Sequence, residues 1–292
     1  MTEPVKGAIA MLLACLTWGF APLYYSFLSH LGPEEILSHR TLWSVVTFVI
    51  VIALTGRMAE TLRVVKLPKT MALILLAGVM IGINWYVFIF SVGVGRVTES
   101  SLGYYIFPLV MVLLGVVVFR ENLSKLQWVS VALAVIAVVV LTFGLGSVPW
   151  LAMIISLTFG IYGLLKRIIR VDSVVSVTLE VILLLPVAIA YLWLFGTVPD
   201  APTLALLMFS GLITAGPLML MTYATQTVRM ATVGLVQYLN PVLQFFCAIV
   251  LLGEVLTGWH MIAIGLIWTA LAFYTVAVFR AERKVVSISP TV

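Results

Sequence analysis

The chain has 292 residues, of which 63% are hydrophobic and only 9% charged, with a mean hydropathy of +1.22 and a formal charge of +5. A soluble domain keeps about a quarter of its residues charged because its surface meets water, so lipid must be the main outer solvent here and the basic excess says nothing of nucleic acid. Cys15 and Cys247 both lie in apolar runs, which excludes a disulfide framework.

A membrane-crossing helix needs roughly 20 apolar residues. Ten stretches qualify, at about 7–29, 35–55, 70–93, 98–119, 125–144, 149–168, 175–195, 203–225, 231–252 and 259–279. The first is too long for the core of a signal peptide and lacks a small-residue cleavage site, so it reads as a span that stays in place. Leu31-Gly32-Pro33 closes it. The longest polar loop runs from Gly56 to Lys69, and Ser124 with Gln127 predicts a capping box for the fifth span. The weakest break, Gly144 to Pro149, falls near the middle, and Val198 to Pro202 forms another loop.

The chain repeats itself. Residues 96–143 lie over 229–276 at a constant shift of 133, which pairs Arg96 with Arg229, Tyr105 with Tyr238, Pro108 with Pro241 and Glu121 with Glu254. Upstream the same shift pairs Gly78 with Gly211, and at a shift of 141 Thr17-Trp18-Gly19-Phe20 meets Thr158-Phe159-Gly160-Ile161. The expected fold is an all-α integral membrane protein of ten transmembrane helices in two five-helix repeats, 1–146 and 147–284, with a tail at 285–292. An odd number of spans per repeat inverts the second, the arrangement of many transporters with a site between the halves.

Lys and Arg set the orientation. With a cytoplasmic N-terminus, the inner segments hold Lys6; Arg57, Arg63, Lys66 and Lys69; Arg120 and Lys125; Lys166, Arg167 and Arg170; Arg229; and Arg280, Arg283 and Lys284. Only Arg96 is left in an outer loop, and Arg40 falls within the second span. Both termini are therefore expected inside.

Polar residues within spans mark the candidate site, because lipid contact is unfavourable for them. Gln237, Asn240 and Gln244 share one helical face around Pro241. They read as cavity lining, against helix-to-helix bonding as the plainer alternative. The shift of 133 maps that face onto Tyr104, Phe107 and Met111 around Pro108, with Tyr105 beside it and Tyr238 as its mate. One amide-rich wall facing one aromatic wall suits a small amphipathic or aromatic solute. Arg40 would recognise an anionic group on it, or else snorkel to headgroups. Asn84 and Trp85 join this expected binding set. His39 and Glu180 are candidates for a proton or ion-pair role, and Pro22, Pro108, Pro217 and Pro241 for bending helices. No Walker A sequence, HExxH, GxSxG or metal-ligand cluster occurs. No enzyme activity, cofactor or metal is expected.

The ten spans in two halves, the prolines of the fourth and ninth spans and the Glu after each resemble the EamA transporters of the drug/metabolite transporter superfamily. LTWGFAPLYY, EILSHR, INWYVFIFSV, ESSLGYYIFPL and LVQYLNP carry the likeness over nearly the whole chain. The resemblance implies a permease of the bacterial inner membrane with a central cavity, exporting metabolites or drugs by alternating access. Its partners would be a small-molecule solute and the lipid bilayer, without nucleic acid, in a monomer or homodimer. The competing readings are a passive channel and a membrane scaffold without transport; clustered mid-membrane polar residues favour the carrier.

Overall fold

The computed structural model describes residues 3–120, 123–227 and 236–288. Among them every regular element is a helix. Among the described residues nine helical stretches, the two N-terminal helices counted as one, are long and apolar enough to cross a membrane. Large apolar side chains such as Val117, Phe143, Val187 and Trp193 face outward, as a lipid-facing surface requires. Several serines and threonines of the spans satisfy their hydroxyls on the preceding turn, as Thr41 does on the Leu37 carbonyl and Thr214 on that of Ser210.

Helix ends follow from local chemistry. The first expected span is two helices, α1 (Glu3–Gly19) and α2 (Ala21–Ser26), broken at Phe20. Pro22 therefore sits in the first turn of α2, where no intrahelical donor is lost, and starts a helix instead of bending one. α3 (Pro33–Leu54) opens on Pro33 with Glu34 and Glu35 in its first turn, where the helix dipole favours acids. The polar loop after it holds a short helix, α4 (Met58–Val65), that burial of Thr61 and Val64 anchors. α5 (Pro68–Gly93), α6 (Val97–Phe119) and α7 (Lys125–Leu145) follow. The capping box forms: the Ser124 amide donates to Gln127 Oε1 at 2.8 Å and the Gln127 amide to Ser124 Oγ at 3.3 Å.

The second half runs through α8 (Trp150–Ile168), α9 (Ser173–Phe195), α10 (Ala201–Thr227), α11 (Leu239–Phe246) and α12 (Gly258–Ile288). Asp172 caps α9 by accepting from the Val174 and Val175 amides, and it also pairs with Arg57. Pro108, Pro186 and Pro217 lie inside α6, α9 and α10. The ninth expected span is the exception. Its described part turns at Tyr238, enters the short α11 with Pro241 in its first turn, and ends in a π-turn over Cys247–Leu251. Pro241 thus begins a helical segment, as Pro22 does. Of the repeat mates, Glu121 and Arg229 lie outside the described residues.

Carboxylates from elsewhere cap two helices. Glu254 accepts from the Val97 amide and, at 2.8 Å, from that of Thr98 at the start of α6. Glu99 accepts from the Leu151 amide of α8 at 2.9 Å and pairs with Arg96.

In the packing, α1 lies on α10 and α11, α8 on α5 and α6, α3 on α9 and α10, and α7 on α12. Glycines allow the closest approaches. A Cβ on Gly19 would fall 2.5 Å from Leu243 Cβ, and one on Gly160 2.7 Å from Val110 Cγ1. Overpacking of this kind destabilises by about 1–3 kcal/mol. Gly19→Val and Gly160→Val should therefore each lower the melting temperature in detergent. Gly265→Ala, where a Cβ meets open space, should not. If Gly160→Val melts with Gly265→Ala, the close contact of α6 and α8 is refuted.

Candidate functional site

The helices enclose a cavity of about 530 Å³ to which α1, α2, α3, α5, α6, α8, α9, α10, α11 and α12 all contribute walls. Arg40 lines it, projecting from the second turn of α3. It is only 6% exposed. Its Nε donates to Thr214 Oγ1 of α10 at 3.1 Å, and its guanidinium lies 4.1 Å from the Trp85 ring and 5.6 Å from that of Tyr25. It makes none of the ion pairs among the described residues. Ring faces and one hydroxyl hold this cation in the wall.

Asn84 reaches the cavity but spends its amide on the protein. Its Nδ2 donates to the Ile155 carbonyl at 3.1 Å and to Thr158 Oγ1 at 3.3 Å, while Tyr104 donates to its Oδ1 at 2.9 Å. This ties α5, α6 and α8 together and fixes the Tyr104 ring. Gln237, Tyr238, Asn240 and Gln244 are on the wall. Gln244 Nε2 donates to Asn240 Oδ1 at 3.0 Å and to the Trp18 carbonyl at 3.4 Å, and its buried Oε1 has no partner. An unsatisfied buried acceptor facing a cavity can receive a donor from a solute or a water. Phe107, Pro108 and Met111 of α6 line the aromatic side, together with Phe159 and Tyr162 of α8.

Three of the residues expected to bind solute or carry a proton or ion pair lie off the cavity wall. Tyr105 turns away from the cavity into the contact with α12, its ring 6.3 Å from Trp268; one residue along a helix rotates the side chain by some 100 degrees, enough to leave the wall. His39 is buried next to Arg40 in sequence but off the wall, with Nδ1 unpartnered. Glu180 is fully buried just behind the wall. Its carboxylate accepts from Lys166 at 2.8 Å, from Ser176 at 2.8 Å and from Tyr162 at 3.2 Å. Lys166, read from sequence only as a topology signal, lines the cavity, as do Trp18, Tyr25 and Phe159. The spacing of Tyr162 and Lys166, one turn apart on α8, was the available signal. Among the described residues no group of His, Cys, Asp or Glu could hold a metal.

A family model for EamA-like transporters matches the chain twice, over residues 5–143 and 147–276. The chain belongs to the EamA-like transporter family. It is thus a multi-pass membrane protein of a transporter family. Within the EamA family it is RarD-like. It is 35% identical to protein RarD of Salmonella typhimurium, over 96% of this chain and 97% of that protein. It is 31% identical to the chloramphenicol-sensitive protein RarD of Pseudomonas aeruginosa, over 91% and 92%. A protein of Vibrio cholerae serotype O1 named as an uncharacterized transporter is 38% identical, over 93% and 92%. A crystal structure at 18% identity aligns with a TM-score of 0.62 over 95% of this chain and 99% of that one, a likeness of fold alone.

Proposed function

We propose that this EamA-family protein is a secondary transporter of the bacterial inner membrane that exports a small organic solute by alternating access. The observation that carries the reading is Arg40, buried without a carboxylate in the wall of a central cavity that aromatic side chains help to line. A scaffold has no need of such a cation, whose burial is unfavourable by a few kcal/mol on insertion scales. Export is the direction that the family resemblance implies.

Alternating access draws support from paired packing. Gly19 abuts Leu243 and Gly160 abuts Val110; 160 − 19 is 141 and 243 − 110 is 133, the two shifts of the sequence repeat. Likewise Gly78 of α5 abuts Glu180 of α9, while Gly211 of α10 abuts Trp43 of α3. Such exchanged partners are what two inverted five-helix halves, 1–146 and 147–284, produce around a central site. Cytoplasmic termini follow from the placement of Lys and Arg, so a phosphatase fused to the C-terminus should be inactive.

The test of transport is counterflow in proteoliposomes with labelled aromatic acids, amino acids and chloramphenicol. A carrier gives uptake of label that unlabelled solute on the far side accelerates. Flux that the far side does not accelerate would mean a channel, and the absence of flux for every solute a scaffold.

A further inference from the structure

The cavity has a second charged station. Rings lead to it in unbroken contact: Tyr25 lies 6.0 Å from Phe88, Phe88 6.0 Å from Tyr104, Tyr104 5.7 Å from Phe159, and Phe159 6.0 Å from Tyr162 in a stacked arrangement. Arg40 stands over the first ring, and Lys166 lies 5.6 Å from the last. The two ends differ in one respect. Lys166 is neutralised by Glu180, whose carboxylate also holds Ser176 and Tyr162. Arg40 has no such partner.

The charges can therefore be counted. Arg40 and Lys166 are the only Lys, Arg, Asp or Glu side chains among the described lining residues, and Glu180 cancels one of them. Glu35, on the same helix as Arg40, is engaged by the amide and hydroxyl of Thr197 at 2.8 and 2.7 Å. Asp172, next to the lining residue Ser173, is matched by Arg57. One positive charge remains among the described lining residues.

We infer that the transported solute is a monoanion with an aromatic or flat apolar body, its one negative group on Arg40 and its body along the ring wall. This rests on the proposed transport through this cavity and narrows its substrate. Charge in a poorly hydrated interior is unfavourable unless matched. A monoanion leaves no excess. A neutral solute leaves Arg40 uncompensated, and a dianion adds a charge in place of removing one. A zwitterion can place its carboxylate on Arg40, but its ammonium finds no carboxylate among the described lining residues.

The test uses four probes of one shape with the purified full chain in detergent at pH 7.5: 3-phenylpropionate, L-phenylalanine, benzylmalonate and 3-phenylpropanamide. Affinities come from thermal shift and calorimetry. The expected order puts 3-phenylpropionate first by at least about tenfold. Glu180→Gln raises the count to two positive charges and should move benzylmalonate to first place. The double variant Lys166→Met with Glu180→Gln restores a single charge and should restore the wild-type order. The counting is overturned if phenylalanine, the amide or the dianion binds wild type as well as 3-phenylpropionate, if 3-phenylpropionate does not bind, or if Glu180→Gln leaves the order unchanged. If Arg40→Gln binds all four probes as wild type does, the Arg40 anion site fails as well. A zwitterion that wins in wild type and depends on Arg40 would overturn only the charge rule.

Discussion

Arg40→Ala should abolish transport while leaving the protein as stable as wild type, or more so. Removing one partner of a buried, bonded charge pair weakens binding by about 2–5 kcal/mol, at least roughly 30-fold in solute affinity. The opposite sign for stability follows from the empty state. There the guanidinium has no carboxylate, only Thr214 and the faces of Trp85 and Tyr25, so its removal relieves an uncompensated charge. Such a trade of stability for function is common at sites held ready for a ligand. Arg40→Lys should recover part of the activity, because an ammonium keeps the charge but not the planar fork. Arg96→Ala, which removes a side chain 40% exposed and paired to Glu99, should retain transport. Melting curves and counterflow on the same preparations supply both readouts. A well-folded Arg40→Ala protein that still moves every solute the wild type moves would make Arg40 a structural residue.

Much of the fold was legible in the sequence, because hydropathy is a strong signal in a chain that meets lipid. The capping box at Ser124 and Gln127 was readable from local spacing, and it forms. The amide face at Gln237, Asn240 and Gln244 was readable from helical periodicity, and all three line the cavity. Breaks within spans were harder to see. Pro22 and Pro241 were read as bends, yet each lies in the first turn of a new segment, since a proline alone does not say whether the helix kinks or restarts.

The second charged station was hidden for a different reason. Lys166 looks like any basic residue at a helix end, and its meaning depends on α9 packing beside α8 so that Glu180 and Ser176 meet it. Sequence spacing within one helix cannot report that. Tyr105 shows the converse error. It matched the repeat mate Tyr238 in sequence, but Tyr238 lines the cavity and Tyr105 packs against Trp268. Equivalent positions in two copies need not keep equivalent surroundings once one helix is broken and the other is not.

Lys166→Met should be the most destabilising single change at the site. Glu180 is wholly excluded from solvent, so losing the lysine leaves a buried carboxylate with only the hydroxyls of Ser176 and Tyr162. Breaking a buried pair in this way is unfavourable by about 3–5 kcal/mol. Glu180→Gln should do less harm. The Lys166 side chain is 21% exposed and opens on the cavity, so its ammonium can hydrate when the carboxylate is gone. The double variant should recover most of the loss of Lys166→Met, because no unpaired charge then stays buried. The resulting cycle should show a coupling of at least about 2 kcal/mol. Unfolding of the four proteins in one detergent, followed by tryptophan fluorescence, measures it. Losses that simply add, or a Lys166→Met protein as stable as wild type, would mean that the pair is not an energetic unit.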